Sequence, residues 1–323
     1  MSPACGGWRT ERVDAGAPAV LVLRALGLGD LVCGLPALRA VRAAHPGHRV
    51  VLAAPAVLAP LAVASGAVDE VLPAGPLEDL PAGMDPPGVA VNLHGRGPQS
   101  HRLLQRVRPG RLLAFASPEA GVRGPEWRPG EHEVARWCRM LDGHGVPADP
   151  SRLELGVGDD PAHRGAAVVH PGAAAPARRW PPHRFAVIAR ALRDAGRRVL
   201  ITGTAGERAL AERVAALSGT GPASVLAGAT DVLGLARIVS GASVVVSGDT
   251  GVAHLAVATG TPTVTLFGPV PPSEWGPPAL PRHRVLWAGG RGDPHGAGTD
   301  PGLLSIGADR VLRELRALEA VAA

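Results

Sequence analysis

Tyrosine and lysine are missing from this 323-residue chain, and only three phenylalanines, six tryptophans and three cysteines occur. Because lysine is absent, all 33 basic residues are arginine, a uniform replacement that reads as a GC-rich coding bias rather than an arginine surface built for nucleic acid. The high isoelectric point therefore says little about partners. Three scattered cysteines (Cys5, Cys33, Cys138) exclude a disulfide framework and a thiolate cluster. The histidines stand singly, without i, i+4 pairing on a helix, so no metal site is expected. No apolar run approaches the ~20 residues of a membrane-spanning helix. Residues 1–18 are polar and glycine-bearing rather than secretory in pattern, and a reducing cytoplasm is the expected location. Two nucleotide and nucleophile signatures are also missing: the phosphate loop ending Gly-Lys-Ser/Thr and the Gly-x-Ser-x-Gly elbow.

What remains is an Ala/Val/Leu-rich chain long enough for two ordinary domains. Short apolar runs alternate with amphipathic stretches. Strands are expected at Ala19–Leu23, Arg49–Ala53, Val68–Leu72 and Val89–Leu93, with helices at 31–44, 57–64, 100–106 and 131–144. A polar, glycine-bearing segment at 156–161 reads as a linker, after which the alternation restarts. Strands are then expected at 166–169, 197–202, 224–226 and 243–246, helices at 184–195, 207–217 and 232–239, and a terminal helix at 308–321. Residues 270–302, rich in proline and glycine, read as surface loop. Continuously apolar strands separated by helices imply parallel sheets covered on both faces. Two such units joined by one linker would leave a cleft, with the carboxyl ends of both sets of strands as the ligand-binding edges.

Charge is uneven. Residues 1–160 carry 16 Arg against 17 acids and residues 161–323 carry 17 Arg against 11, so the second half suits a small anionic ligand. Within the first half, residues 96–139 hold nine Arg and four Glu. Those arginines could face an anionic membrane surface or an acidic acceptor, or simply form a solvated face.

The densest motif runs from Ser247 to Ala256 and closes at Gly260–Pro269. It reads as a buried strand, a tight turn, a short helix, a glycine stop and another buried strand. Asp249, Thr250 and the bare amide of Gly251 fall at the helix start, with His254 one turn on. Free amides and the positive end of the helix dipole make such a place a seat for phosphate. The competing reading is an ordinary cap, since Asp and Thr are capping residues. The first βα turn, Arg24–Leu31, fails the dinucleotide fingerprint because the third glycine would fall at Val32. It does place Asp30 at a helix start, where capping is again the plainer role. A second glycine turn, His170-Pro171-Gly172-Ala173, would let backbone approach a ligand closely and leads into Arg178-Arg179-Trp180-Pro181, where an arginine can neutralise phosphate bidentately. Thr202–Glu207 is a third glycine turn.

These segments, with Pro36–Ala40, Asn92-Leu93-His94-Gly95 and His132-Glu133-Val134, resemble the ADP-heptose:lipopolysaccharide heptosyltransferases, inverting, metal-independent enzymes of GT-B fold. The resemblance implies two Rossmann-like doubly wound domains facing across a cleft: residues 1–157 for the acceptor, and residues 158–323, with the terminal helix, for the nucleotide-sugar. It implies Asp30 as general base, and Gly172, Arg178, Asp249, Thr250, Gly251, Val252 and His254 as the donor-diphosphate site. Arg178 stands where the family often has Lys, and the cysteines many relatives carry near the C-terminus are missing around Pro301–Leu304. No cofactor is implied beyond the nucleotide-diphosphate sugar itself, with ADP-heptose as the family's donor. The acceptor would be a glycan, glycolipid or small-molecule hydroxyl, with no nucleic acid partner and with peripheral contact at the inner membrane surface as an option. Two alternatives stay open: a sugar-nucleotide epimerase or hydrolase on the same scaffold, and a non-catalytic nucleotide-sugar-binding protein.

Overall fold

The computed structural model describes residues 17–80 and 85–322; Cys5 lies outside them. The chain divides into two α/β units, one running to Arg128 and resuming at Val134–Arg152, the other taking Pro129–Glu133 and everything from Leu153 onward.

The first unit is built on β1 (Ala19–Leu23), α1 (Leu28–Cys33), α2 (Leu35–Ala44), β2 (Arg49–Ala54), α3 (Ala59–Ala64), β3 (Glu70–Pro73), β4 (Val89–Asn92), α4 (Gln99–Arg106), β5 (Arg111–Leu113) and α5 (Glu133–Asp142). Its five strands are all parallel, in the order β3-β2-β1-β4-β5. β1 lies inside the sheet with Val20–Leu23 fully buried, which is why it shows no alternation of polar and apolar residues. The order reverses between β1 and β4, where Leu23 pairs with Asn92. A ligand edge is expected at such a switch point. On α5, Val134, Trp137, Cys138 and Leu141 are buried, the face that the spacing marks as apolar.

The second unit comprises β6 (Ala167–His170), α6 (Pro182–Asp194), β7 (Val199–Ile201), α7 (Arg208–Ser218), α8 (Val232–Ser240), β8 (Val244–Gly248), α9 (Gly251–Ala258), β9 (Thr263–Leu266), α10 (Pro272–Trp275), β10 (His283–Leu286), α11 (Pro301–Ser305) and α12 (Ala308–Ala322). Its parallel sheet has the order β10-β9-β8-β6-β7, with the reversal between β6 and β8. Trp180, Phe185 and Ile188 pack with Val246, Leu266, Ile306 and Val311 in one core. Segment 156–161, expected to be a linker, already lies on this unit. The Leu155 amide donates to Ala258 O at 2.7 Å and that of Asp160 to Arg237 O at 3.2 Å.

Three local expectations need correction, and one strand had not been expected. The helix expected over 31–44 is two helices, because Gly34 interrupts it. A side chain there would crowd the Arg24 Cδ and Nε, 3.0 Å from an added Cβ. Residues 224–226 are not a strand; Pro222 winds a 3-10 turn over Pro222–Ser224, and only Val225 bridges Ile201. Residues 270–302 are not all loop: β10 closes the sheet edge beside β9, buried at His283 and Leu286. β5 is only three residues long and carries too little pattern to be seen.

Replacing Gly34 by Val should lower stability by about 1–3 kcal/mol through overpacking against Arg24. Gly34 has φ −80°, so backbone strain does not contribute. Denaturant unfolding that finds less than about 0.5 kcal/mol of loss would show that the Arg24 stem moves aside freely.

Candidate functional site

In the first unit, register sets the geometry. β1 ends beside Ala53 and Asn92, so the turn after it and the turn after β4 emerge side by side. Arg24, the first residue of that turn, is fully buried. Its Nε donates to Asp30 O at 2.5 Å, its Nη1 to Leu93 O at 2.5 Å, and its Nη2 lies 3.5 Å from Asp30 Oδ1. The guanidinium also sits 5.3 Å over the Trp137 ring. A buried cation is tolerated only when so surrounded. Asp30 itself is the third residue of α1, and its Oδ2 accepts from the Gly27 amide at 3.2 Å. The capping role is therefore real. Yet the side chain stays 26% exposed, and its second oxygen is held by a single charge at ion-pair distance. A carboxylate that is oriented yet partly solvated has the geometry that general base chemistry requires. His94 follows Leu93, with its amide on Asn92 Oδ1 at 3.0 Å and its Nδ1 buried without a partner among the described residues. Burial and the Arg24 cation lower its pKa, with the Asp30 charge opposing them.

In the second unit, β6 and β8 deliver the other group. His170 pairs in register with Ser247, and the turns Pro171–Ala173 and Asp249–Thr250 follow directly. α9 begins at Gly251 with Thr250 extended before it, and no side chain caps it. The capping alternative for Asp249 and Thr250 thus fails. Ser247 Oγ, Asp249 Oδ1 and Thr250 Oγ1 are all buried with no hydrogen-bond partner among the described residues. At any helix start the first amides lack an intrahelical acceptor, here those of Gly251 and Val252. Buried polar atoms without partners are costly, at about 1–3 kcal/mol each, and a cluster of them marks a place where something binds.

Arg178 is positioned by a 3-10 turn over Pro176–Arg178 and by the bare backbone of Gly248, where a Cβ would come 3.3 Å from Arg178 O. Its Nη2 donates to Asp249 O at 2.5 Å and to Asp249 Oδ2 at 2.7 Å. His254 Nε2 lies 3.6 Å from Asp249 Oδ1. Burial alone would raise the Asp249 pKa, but His254 and Arg178 outweigh it and hold the carboxyl below its ordinary value. At Gly172 the close approach comes from within: an added Cβ would overlap the Glu207 carboxylate, whose Oε2 accepts from the Thr204 amide at 2.8 Å. His170 Nδ1 bonds Thr202 Oγ1 at 3.0 Å, and burial lowers its pKa against the opposing Glu207 charge.

The second unit therefore brings together Arg178, Asp249, Thr250, Gly251, Val252 and His254, with Gly172 at the end of the neighbouring strand; Asp30 belongs to the first unit. Sequence reasoning passed over Arg24, Glu207 and Ser247. Arg24 and Ser247 carry a usable signal, a polar residue at the carboxyl end of a continuously apolar strand. Glu207 has only its place three residues after Thr204, a capping-box spacing. Among the described residues, no group of three His, Cys, Asp or Glu stands close enough to share a metal ion.

Residues 134–295, half of the chain, match the family model described as glycosyltransferase family 9 (heptosyltransferase). The chain belongs to that family. Lipopolysaccharide heptosyltransferase 2 of Escherichia coli is 31% identical over 151 residues, covering 44% of this chain and 43% of the relative. Lipopolysaccharide heptosyltransferase 1 of Pseudomonas aeruginosa is 38% identical over 98 residues, 30% of this chain and 27% of that protein. The matched stretches thus span less than half the length of these curated relatives. The fold likeness is broader. The structure of E. coli ADP-heptose lps heptosyltransferase II aligns with a TM-score of 0.76 at 21% identity, over 94% of this chain and 100% of that one. The family 9 glycosyl transferase from Veillonella parvula aligns with a TM-score of 0.77 at 18% identity, over 94% and 98%. The two parallel-sheet units are those of the GT-B class.

The lowered Asp249 pKa predicts a specific acid response. A carboxyl whose folded-state pKa lies below its usual 3.8 stabilises the fold above that pH and loses the contribution as pH falls through it. Thermal unfolding from pH 6 to 3 should show the wild-type advantage over Asp249→Asn shrinking below about pH 4. An advantage constant across that range would contradict the assignment.

Proposed function

We propose that this protein is an inverting, metal-independent glycosyltransferase that moves a heptose-like sugar from a nucleotide-diphosphate sugar to an acceptor hydroxyl. Supporting this are its membership in a heptosyltransferase family and, above all, the uncapped start of α9 with the unpartnered Ser247 Oγ and Thr250 Oγ1 beside it. The donor diphosphate takes the Gly251 and Val252 amides, and its charge is met by the helix dipole and by the Nε and Nη1 of Arg178. As the bond between the sugar and phosphate breaks, the leaving oxygen gains charge where donors are already aimed, which lowers the barrier without reorganisation. Asp249, fixed by Arg178 and His254, keeps one acceptor oxygen for a donor hydroxyl.

Asp30 acts as general base. The acceptor oxygen forms a bond to the anomeric carbon, its proton passes to the Asp30 carboxylate, and the nucleoside diphosphate leaves with the bonding electrons. Arg24 holds that carboxylate in place and is itself too buried to meet substrate. ADP-heptose is the donor suggested by the relatives' names, with a lipopolysaccharide-type glycolipid as acceptor class. Exposed Arg96, Arg102, Arg108 and Arg123 add positive charge to the first unit, which would favour an anionic acceptor or the inner membrane surface. No helix among the described residues is long and apolar enough to cross a membrane.

The test is transfer from ADP-heptose to a panel of glycan and glycolipid acceptors, monitored as nucleoside diphosphate release and product anomeric configuration. Release should require acceptor, the product should be inverted, and Asp30→Asn should lose roughly 10²–10⁴-fold in turnover with donor affinity kept. Acceptor-independent release would make the protein a hydrolase. Full turnover in the variant would remove Asp30 as the base.

A further inference from the structure

Trp275 is a large aromatic side chain that the reaction just described leaves without a task. It ends α10 and is only half-buried, whereas Trp137 and Trp180 are almost fully enclosed in the cores of their units. Its ring lies 5.8 Å from the His254 imidazole, inclined at 61°, and His254 is the residue whose Nε2 faces Asp249. Among the described residues, its indole N–H meets no acceptor.

The segment that carries Trp275 is pinned on every side. The Gly276 amide donates to Pro272 O at 2.6 Å, and Gly276 O accepts from His132 Nε2 at 3.0 Å. Glu274 pairs with Arg291 at 2.5 Å. A Cβ at Gly276 would collide with the Pro272 carbonyl, so the tight exit after the tryptophan requires glycine. A side chain held by so many backbone constraints, yet left partly exposed with an unspent donor, is arranged to meet something other than its own core.

We propose that Trp275 is a specificity-determining platform for the transferred sugar of the donor, with its indole face against the C–H surface of a pyranose ring and its N–H directed to a ring hydroxyl. This rests on the reading of α9 as the diphosphate seat. An indole face can stack on a base as well as on a sugar, but its unspent N–H matches the hydroxyl rim of a sugar, and the two titrations below separate these readings. An indole is an amphipathic surface, apolar across its face and polar at one edge. A pyranose is built likewise, with C–H groups across a face and hydroxyls at the rim. Asp249 and the indole both flank His254, so sugar hydroxyls and sugar C–H bonds each find a partner. A diphosphate offers nothing to an aromatic face. Trp275 therefore discriminates among donors by their sugar and leaves the nucleotide unread.

Calorimetric titration with ADP and, separately, with ADP-heptose tests this on the full-length protein and two variants. For Trp275→Ala the Kd for ADP should stay within about twofold of wild type while that for ADP-heptose rises tenfold or more. Trp275→Phe, which keeps an aromatic face, should recover most of the loss and guards against a folding artefact. Equal weakening of both ligands would place Trp275 against the base or make it a merely structural support of His254, and no weakening of either would remove it from the site; each result overturns the proposal. Wild-type protein that binds neither ligand would instead remove the diphosphate seat itself, and the proposal with it.

Discussion

A buried carboxylate without its cation would be among the most expensive groups in the second unit, and the Asp249–Arg178 pair resolves that cost. Much of the site depends on this contact. Arg178 reaches both the backbone and the carboxylate of Asp249 from one nitrogen, so it braces the turn between β8 and α9 as well as its charge. The brace frees Thr250 from capping and leaves the first amides of α9 open. Buried ion pairs seldom stabilise a fold in net terms, because desolvation offsets attraction. Their better use is geometric, and here the pair, with the Asp249 amide on Leu266 O at 3.0 Å, holds a polar turn in place.

The first unit solves an analogous problem with the charges reversed. Arg24 is a buried cation, and the atoms that compensate it belong to the two turns at the switch point: Asp30 on one, the Leu93 carbonyl on the other. Gly34 is bare because the arginine stem runs past it. The same contacts that pay for the buried guanidinium orient the Asp30 carboxylate. In both units, then, an arginine from a strand-end loop fixes an aspartate near a helix start, once deeply buried and once partly open to solvent. That difference suits the two roles. The enclosed Asp249 stays ionised and fixed, whereas Asp30 keeps the solvent access that the general base proposed above would need.

Most of the architecture was legible in the sequence because the sheets are parallel and interior. Val20–Leu23, Val168–Val169 and Val245–Val246 are unbroken apolar runs of a kind that only two-sided burial favours. Elements failed to show where pattern was too short or composition misled. β5 has three residues, and β10 hides in a stretch whose prolines and glycines suggest loop. The segment from Ser247 to His254 was visible as residue types, yet whether Asp249 and Thr250 cap the helix or leave it open is a matter of rotamers, which spacing does not record. Arg24 is legible only in part. Its place at the end of an apolar strand hints at burial, but its partners are fixed only by β4 pairing beside β1 and by Trp137 lying under its guanidinium.

The central claim is that the open start of α9 is where the donor's diphosphate sits. Amide 15N–1H chemical shifts of Gly251 and Val252 report on those donors directly while ADP is titrated into the intact protein. Both resonances should move downfield and saturate together with the bound fraction. Saturable ADP binding that leaves both amides unmoved would contradict the account.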